Sequence, residues 1–120
     1  MGNMRILGID YGRRKIGLAI GVNGFSEPWK VVNFPEFRKI LETEKFDKLV
    51  VGVSEGEMAK ESKKFADEIG AETYDETLSS KDAIRLSIEA GIGRKKRKEM
   101  EDAYAASLML QNYLDSNILT

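Results

Sequence analysis

The sequence predicts an α/β fold built on a five-stranded mixed sheet flanked by about four helices. Two observations lead there. Three strand-like apolar runs, Met4–Ile9, Ile16–Val22 and Trp29–Val32, follow one another across connections too short to hold a helix. Those connections carry Gly12 and Asn23-Gly24, and Asn-Gly is a strong hairpin signal, so the three runs read as an antiparallel meander. Two later runs, Lys48–Val53 and Ala71–Asp75, alternate with helical stretches, which reads as parallel βαβ units.

The helices follow from apolar spacing. A first is predicted over Glu36–Lys45 with Phe37, Ile40 and Leu41 inward. A second covers Glu57–Ile69, where Met58, Phe65, Ala66 and Ile69 recur at helical spacing and Gly70 closes the element. A third runs from a Ser79 cap to Gly91, with Asp82 three residues after the cap. The last spans Lys98 to about Ser116. No internal repeat, low-complexity stretch or linker interrupts the pattern, and 120 residues suit one domain over positions 1–120.

Composition limits the chemistry. There is no cysteine, so disulfides and thiolate metal sites are excluded, and no histidine, so the commonest general base and zinc ligand are missing. Catalysis would have to run on carboxylates, lysines, hydroxyls or a hard metal ion. No apolar run reaches membrane-spanning length and no signal-peptide pattern opens the chain, so a cytoplasmic protein is expected. The formal charge is −1, but its distribution is uneven. Residues 54–76 hold eight acids against three bases, and residues 81–98 hold seven bases against two acids. A local basic patch in a chain of this balance fits one phosphate-bearing partner better than general nucleic-acid coating.

Three acids stand out. Asp10 closes the buried-looking run Met4–Ile9, where a carboxylate costs several kcal/mol unless a cation meets it. Asp102 begins a stripe continued by Ala105, Ala106, Met109, Leu110, Tyr113 and Leu114 on one helical face. The two alanines would let that helix approach the sheet closely. The ordinary alternative for Asp102 is an acid favoured by the positive end of a helix dipole. The third acid lies in Asp75-Glu76, at the carboxyl end of the fifth strand, where parallel sheets collect their ligand-facing residues. Strand alternation sends only one of the pair inward, and a solvated turn is the ordinary alternative. Acids from three elements, with no nitrogen or sulfur donors, select Mg²⁺ or Mn²⁺. Two such ions roughly 3.5–4 Å apart can clamp the attacking and leaving oxygens of a phosphodiester.

The segments Leu7-Gly8-Ile9-Asp10-Tyr11-Gly12 with Ile16-Gly17-Leu18-Ala19, Val50-Val51-Gly52-Val53, Asp75-Glu76-x-Leu78-Ser79-Ser80 and Asp102-x-x-Ala105-Ala106 with Leu110-Gln111-x-Tyr113-Leu114 resemble, in order, four motifs of the YqgF/RuvX nucleases. The resemblance spans nearly the whole chain. It implies a ribonuclease H-like fold with Asp10, Glu76 and Asp102 as catalytic and metal-holding residues. It also implies Mg²⁺- or Mn²⁺-dependent endonuclease activity, either in 5′-end maturation of pre-16S rRNA or in cutting branched DNA. Two departures accompany it. Thr77 stands where the family has arginine, and the segment Gly52-Val53-Ser54-Glu55-Gly56 is compressed and acidic. Lys81 and Arg85 are candidate replacements for the missing cation.

Two basic segments are candidate nucleic-acid contacts. Arg94-Lys95-Lys96-Arg97-Lys98 reads as an arm leading into the last helix, and Arg13-Arg14-Lys15 as a hairpin tip near Asp10. Ordinary solvated charge is the alternative for both. Phe25, Trp29, Phe34 and Phe37 are read as core rather than as a base-stacking set. Two other functions compete. The run Gly8-Ile9-Asp10-x-Gly12 also resembles the first phosphate loop of the actin and sugar-kinase superfamily, but those proteins enclose nucleotide between two domains and no second such loop follows. A non-catalytic nucleic-acid-binding factor on the same fold is the other. A junction cutter is expected to act as a symmetric homodimer, whereas an RNA-end processor can act as a monomer.

Overall fold

The computed structural model describes residues 4–53, 56–75 and 94–118, with backbone alone for 94–99 and 117–118. Five strands form one sheet: β1 (Arg5–Asp10), β2 (Ile16–Val22), β3 (Phe25–Val32), β4 (Lys48–Val53) and β5 (Glu72–Asp75). Three helices are described: α1 (Phe34–Thr43), α2 (Glu57–Ile69) and α3 (Arg94–Ile118). The strand order is β3-β2-β1-β4-β5, with antiparallel pairing through the first three strands in sequence and parallel pairing of β1 with β4 and β4 with β5. This is the predicted mixed sheet. The helix expected from Ser79 to Gly91 lies outside the described residues.

Local chemistry sets the boundaries. Asn23 and Gly24 both take positive φ, at 57° and 83°, as a tight hairpin turn with the strands' own twist requires. Strand β3 begins at Phe25, earlier than the predicted Trp29, and contains Pro28. Proline cannot donate to a ladder, but β3 is an edge strand and its register shifts at Leu18/Ala19, opposite Pro28, so the missing donor is tolerated. Helix α1 begins at Phe34 rather than Glu36, because the Asn33 side chain accepts a 2.9 Å hydrogen bond from the Glu36 amide and Pro35 suits the first turn. Helix α2 keeps its predicted span and stops at Gly70, whose φ of 73° is the left-handed conformation of a helix cap.

Alternation divides the sheet into two unlike faces. Leu7 and Ile9 of β1, Ile16 and Leu18 of β2 and Val51 of β4 point to one side, where Phe37, Ile40, Phe65 and Ala66 of α1 and α2 cover them. Burying each large apolar side chain there contributes about 1.5–3 kcal/mol. Ile6, Ala19 and Val50 point to the other side, against Ala106, Met109, Leu110, Tyr113 and Leu114 of α3. Phe37 is core as expected, and Trp29 and Phe34 pack at its margin. Phe25 is not core. It directly follows the hairpin turn on the edge strand and is 73% exposed.

Candidate active site

Strand β1 ends on the Asp10 carboxylate, as the sequence suggests, so Asp10 is the last paired residue of a central strand, opposite Gly17 of β2 and beside Gly52 of β4. Cross-strand partners present their side chains on the same face. Asp10 therefore shares a face with Ile6, Gly8, Gly17 and Ala19, which is the face α3 covers. A Cβ at Gly8 would lie 2.9 Å from the Leu110 Cβ. At Gly17 a Cβ would overlap the backbone carbonyl of Asp102 itself. The helix thus rests on the strand, backbone to backbone, one strand away from Asp10. That seating brings Asp10 and Asp102 to one corner at the carboxyl end of β1.

Asp102 lies on the stripe the sequence identifies, since Ala105, Ala106, Met109, Leu110, Tyr113 and Leu114 are all buried. Its carboxyl is held above the ordinary aspartate range by burial, an effect partly offset by the positive charge of Lys15. The dipole alternative does not hold. Helix α3 begins at Arg94 rather than Lys98, which leaves Asp102 more than two turns inside it, and dipole effects fade within the first turn. The same finding corrects the reading of the basic run: Arg94, Lys95, Lys96, Arg97 and Lys98 form the opening turns of α3, not a loop before it.

The structure separates the cations after Asp10. Arg13 Nε donates to Glu61 Oε2 at 3.1 Å, tying the β1–β2 turn to α2. Arg14 and Lys15 are exposed and line a groove of about 350 Å³ beside Val31 and Asn33. Glu76, Thr77, Lys81 and Arg85 lie outside the described residues. Glu72 and Tyr74 of β5 contact Tyr113 and so face α3, and Asp75, of opposite parity, is exposed. Among the described residues no group of three or more acids could hold a metal ion, and no helix is long and apolar enough to cross a membrane. A groove of about 470 Å³ lined by Tyr11, Phe37 and Phe65 opens between α1 and α2, and neither Asp10 nor Asp102 lines it.

The sequence reading missed Gly17 as the counterpart of the alanines on α3. Its signal was present as small residues at alternate positions of β2, Gly17, Ala19 and Gly21, facing the small residues of a helix stripe. Gly21 likewise lies within 3.1 Å of Leu110 and Leu114 at its Cβ position.

A mixed sheet in the order β3-β2-β1-β4-β5, covered by helices on both faces and ending its first strand on a carboxylate, defines the ribonuclease H-like class. Solved structures of RuvC from Thermus thermophilus share it. One, in complex with a Holliday junction substrate, superposes with a TM-score of 0.54 over 96% of each chain at 16% identity. Another gives 0.52 over 98% of each chain, again at 16% identity. The chain belongs to the RuvX family, whose model, described as Holliday junction resolvase, matches residues 4–116. A Clostridium botulinum protein named "Putative pre-16S rRNA nuclease" is 34% identical over 133 residues, covering 93% of this chain and 97% of the relative. A Halothermothrix orenii protein of the same name is 33% identical over 133 residues, covering 93% and 95%. Both alignments exceed the 120 residues of this chain, so these relatives carry segments that it lacks.

Proposed function

We propose that this chain is a divalent-metal-dependent endonuclease that hydrolyses phosphodiester bonds in 5′-end maturation of pre-16S rRNA. The observation that carries the reading is the contact of the Asp102 backbone with Gly17, the strand partner of Asp10. The names of relatives 33–34% identical over 93% of the chain support the RNA substrate. The donor chemistry fits a hard divalent cation, since the described donors are carboxylate oxygens and burial has already raised one of them. Asp10, Asp102 and Glu76 would hold Mg²⁺ or Mn²⁺. When bound, such an ion supplies an activated water and offsets the charge that builds on the phosphate.

The protein's own part is positioning. Strand pairing on both sides fixes Asp10, and the α3 contact sets where Asp102 stands relative to it. Glu76 is proposed over Asp75 from the family's motif, and within β5 it is Glu72 and Tyr74, not Asp75, that face α3. The five cations opening α3 supply the grip on the phosphate backbone. Cations at a helix start gain nothing from the helix dipole, so charge in that place is better matched to a polyanion.

The test is cleavage of a 5′-extended 16S precursor fragment with Mg²⁺ or Mn²⁺ by wild type, Asp10→Asn and Glu76→Gln. Each variant is expected to lose more than the roughly 10–100-fold that changes outside a metal's own ligands cost. Undiminished cleavage by Asp10→Asn removes the reading. The family's description favours a second substrate, branched DNA. Paired symmetric cuts in a four-way junction, with the precursor left intact, would select it. Binding of nucleic acid with cleavage of neither substrate selects a non-catalytic factor.

A further inference from the structure

The turn after Asp10 carries three consecutive cations, and the fold gives them different surroundings. Arg13 reaches α2, on the sheet face opposite the carboxylate corner, and is held there by Glu61 at 3.1 Å. Gly12 closes the turn so tightly that a Cβ on it would sit 2.5 Å from the Lys15 carbonyl oxygen. The turn is therefore folded back on itself and pinned at its tip. Lys15 leads straight into β2. Only Ile16 separates Lys15 from Gly17, the residue that pairs with Asp10 and against which the Asp102 backbone packs, so Lys15 stands at the edge of the corner those two acids share. It is exposed, and its charge is felt at the Asp102 carboxyl.

An ammonium at the rim of a corner built for divalent cations is repelled by those ions and attracted by a phosphate they hold. Lysine suits that duty as a compact point charge with three donors on a flexible stem. We infer, on the nuclease reading above, that Lys15 seats a nucleic-acid phosphate at the carboxylate corner, and that Arg13 is a strut fixing the turn rather than a second grip. The assignment gives the two basic residues separable signatures, because only a phosphate contact releases a counterion when nucleic acid binds.

Binding is measured by fluorescence anisotropy without divalent ions, using a labelled 16S precursor fragment and a labelled four-way DNA junction. Salt is varied from about 50 to about 200 mM. Lys15→Gln is expected to bind the favoured probe roughly tenfold more weakly at low salt, with a logarithmic salt slope shallower by about one. Lys15→Arg restores most of both. Arg13→Gln keeps the wild-type slope and melts at a slightly lower temperature, as does Glu61→Gln. Circular dichroism on every variant confirms folding before binding is compared. Wild-type affinity and slope in folded Lys15→Gln overturn the inference, as does an equal loss of slope in Arg13→Gln or a wild-type chain that binds neither probe. A wild type that binds yet cleaves neither substrate with Mg²⁺ removes the nuclease reading instead and leaves Lys15 as a phosphate contact.

Discussion

The two faces of the sheet are built from different residues for different ends. Beneath α1 and α2 lie Leu7, Ile9, Leu18 and Val51, and the helices answer with Phe37, Ile40 and Phe65. Large side chains hold those helices off the strands, and the face buries much apolar area. Beneath α3 lie Gly8, Gly17, Ala19 and Gly21, answered by Ala103 and Ala106, so helix and strand backbones nearly touch. The first face supplies stability. The second gives up some of that burial for a close approach that holds the Asp102 backbone against Gly17, the strand partner of Asp10. The contrast suggests that substitutions should divide cleanly, with large stability losses on one face and losses of cleavage or binding out of proportion to stability on the other.

The strongest test of the contrast is Phe37→Ala. Phe37 is 1% exposed and packs on Phe65 with ring centroids 5.5 Å apart. Its truncation is expected to cost about 3–5 kcal/mol in urea unfolding, while the remaining folded protein keeps its specific cleavage rate. Gly17→Ala comes next. The added methyl overlaps the Asp102 carbonyl, so helix and strand must part, at about 1–3 kcal/mol. The larger effect falls on cleavage, because a displacement near 1 Å at a positioned group can cost about a hundredfold. Equal specific activity in Gly17→Ala and wild type would mean that the backbone contact does not set the carboxylate spacing.

Much of this division was legible in the sequence, and the gaps have physical causes. Alternation and turn chemistry located all five strands, because Asn23-Gly24 and the βα spacing leave few other pairings. Asp10 was read as the carboxylate that ends the first strand, and β1 does end on it. It is paired on both sides, to Gly17 and to Gly52. The opening of α3 was read as a loop because five consecutive cations carry no apolar period. Lysine and arginine nonetheless have good helix propensity, and the periodic signal only starts further on at Asp102. Phe25 was read as core from residue type alone, whereas its place at a hairpin tip on an edge strand decides its exposure. The approach at Gly17 is a tertiary fact. One strand's glycines become informative only when the helix that lands on them is known.

Asp102 sharpens the contrast through pH. Burial raises its carboxyl above the ordinary 3.8, so between that value and the raised one the folded chain binds more protons than the unfolded chain. Stability therefore falls as pH rises through the window, and the deficit persists at neutral pH. Without divalent ions, Asp102→Asn should melt above wild type at pH 7, and the gap should close as the pH falls below 3.8. Added Mg²⁺ should raise the melting temperature of wild type and not that of the variant, by preferential binding to the folded state. A variant that melts below wild type in chelator would mean that Asp102 is a satisfied structural acid rather than a strained one.

The smallest effect lies at the far end of the α3 face, where the Tyr113 hydroxyl donates to Glu72 Oε2 at 2.6 Å and accepts from Lys48 Nζ at 3.1 Å. Lys48 and Glu72 are also 3.3 Å apart, with side chains 34% and 51% exposed, so solvent screens much of their attraction. The hydroxyl holds the Glu72 carboxyl below its ordinary value and helps raise the Lys48 ammonium above its own. For Glu72 the stabilisation is present above 4.5 and is lost as pH falls through the depressed value. Tyr113→Phe should therefore cost about 0.5–1.5 kcal/mol at pH 7, and less in acid once Glu72 is protonated. Because the clamp sits at the start of β4 and β5, remote from Asp10 at the end of β1, specific cleavage should be unaffected. A drop in cleavage matching that of Gly17→Ala would mean that α3 moves as one rigid lever, and that the clamp, as well as the glycine contact, sets the distance between the two carboxylates.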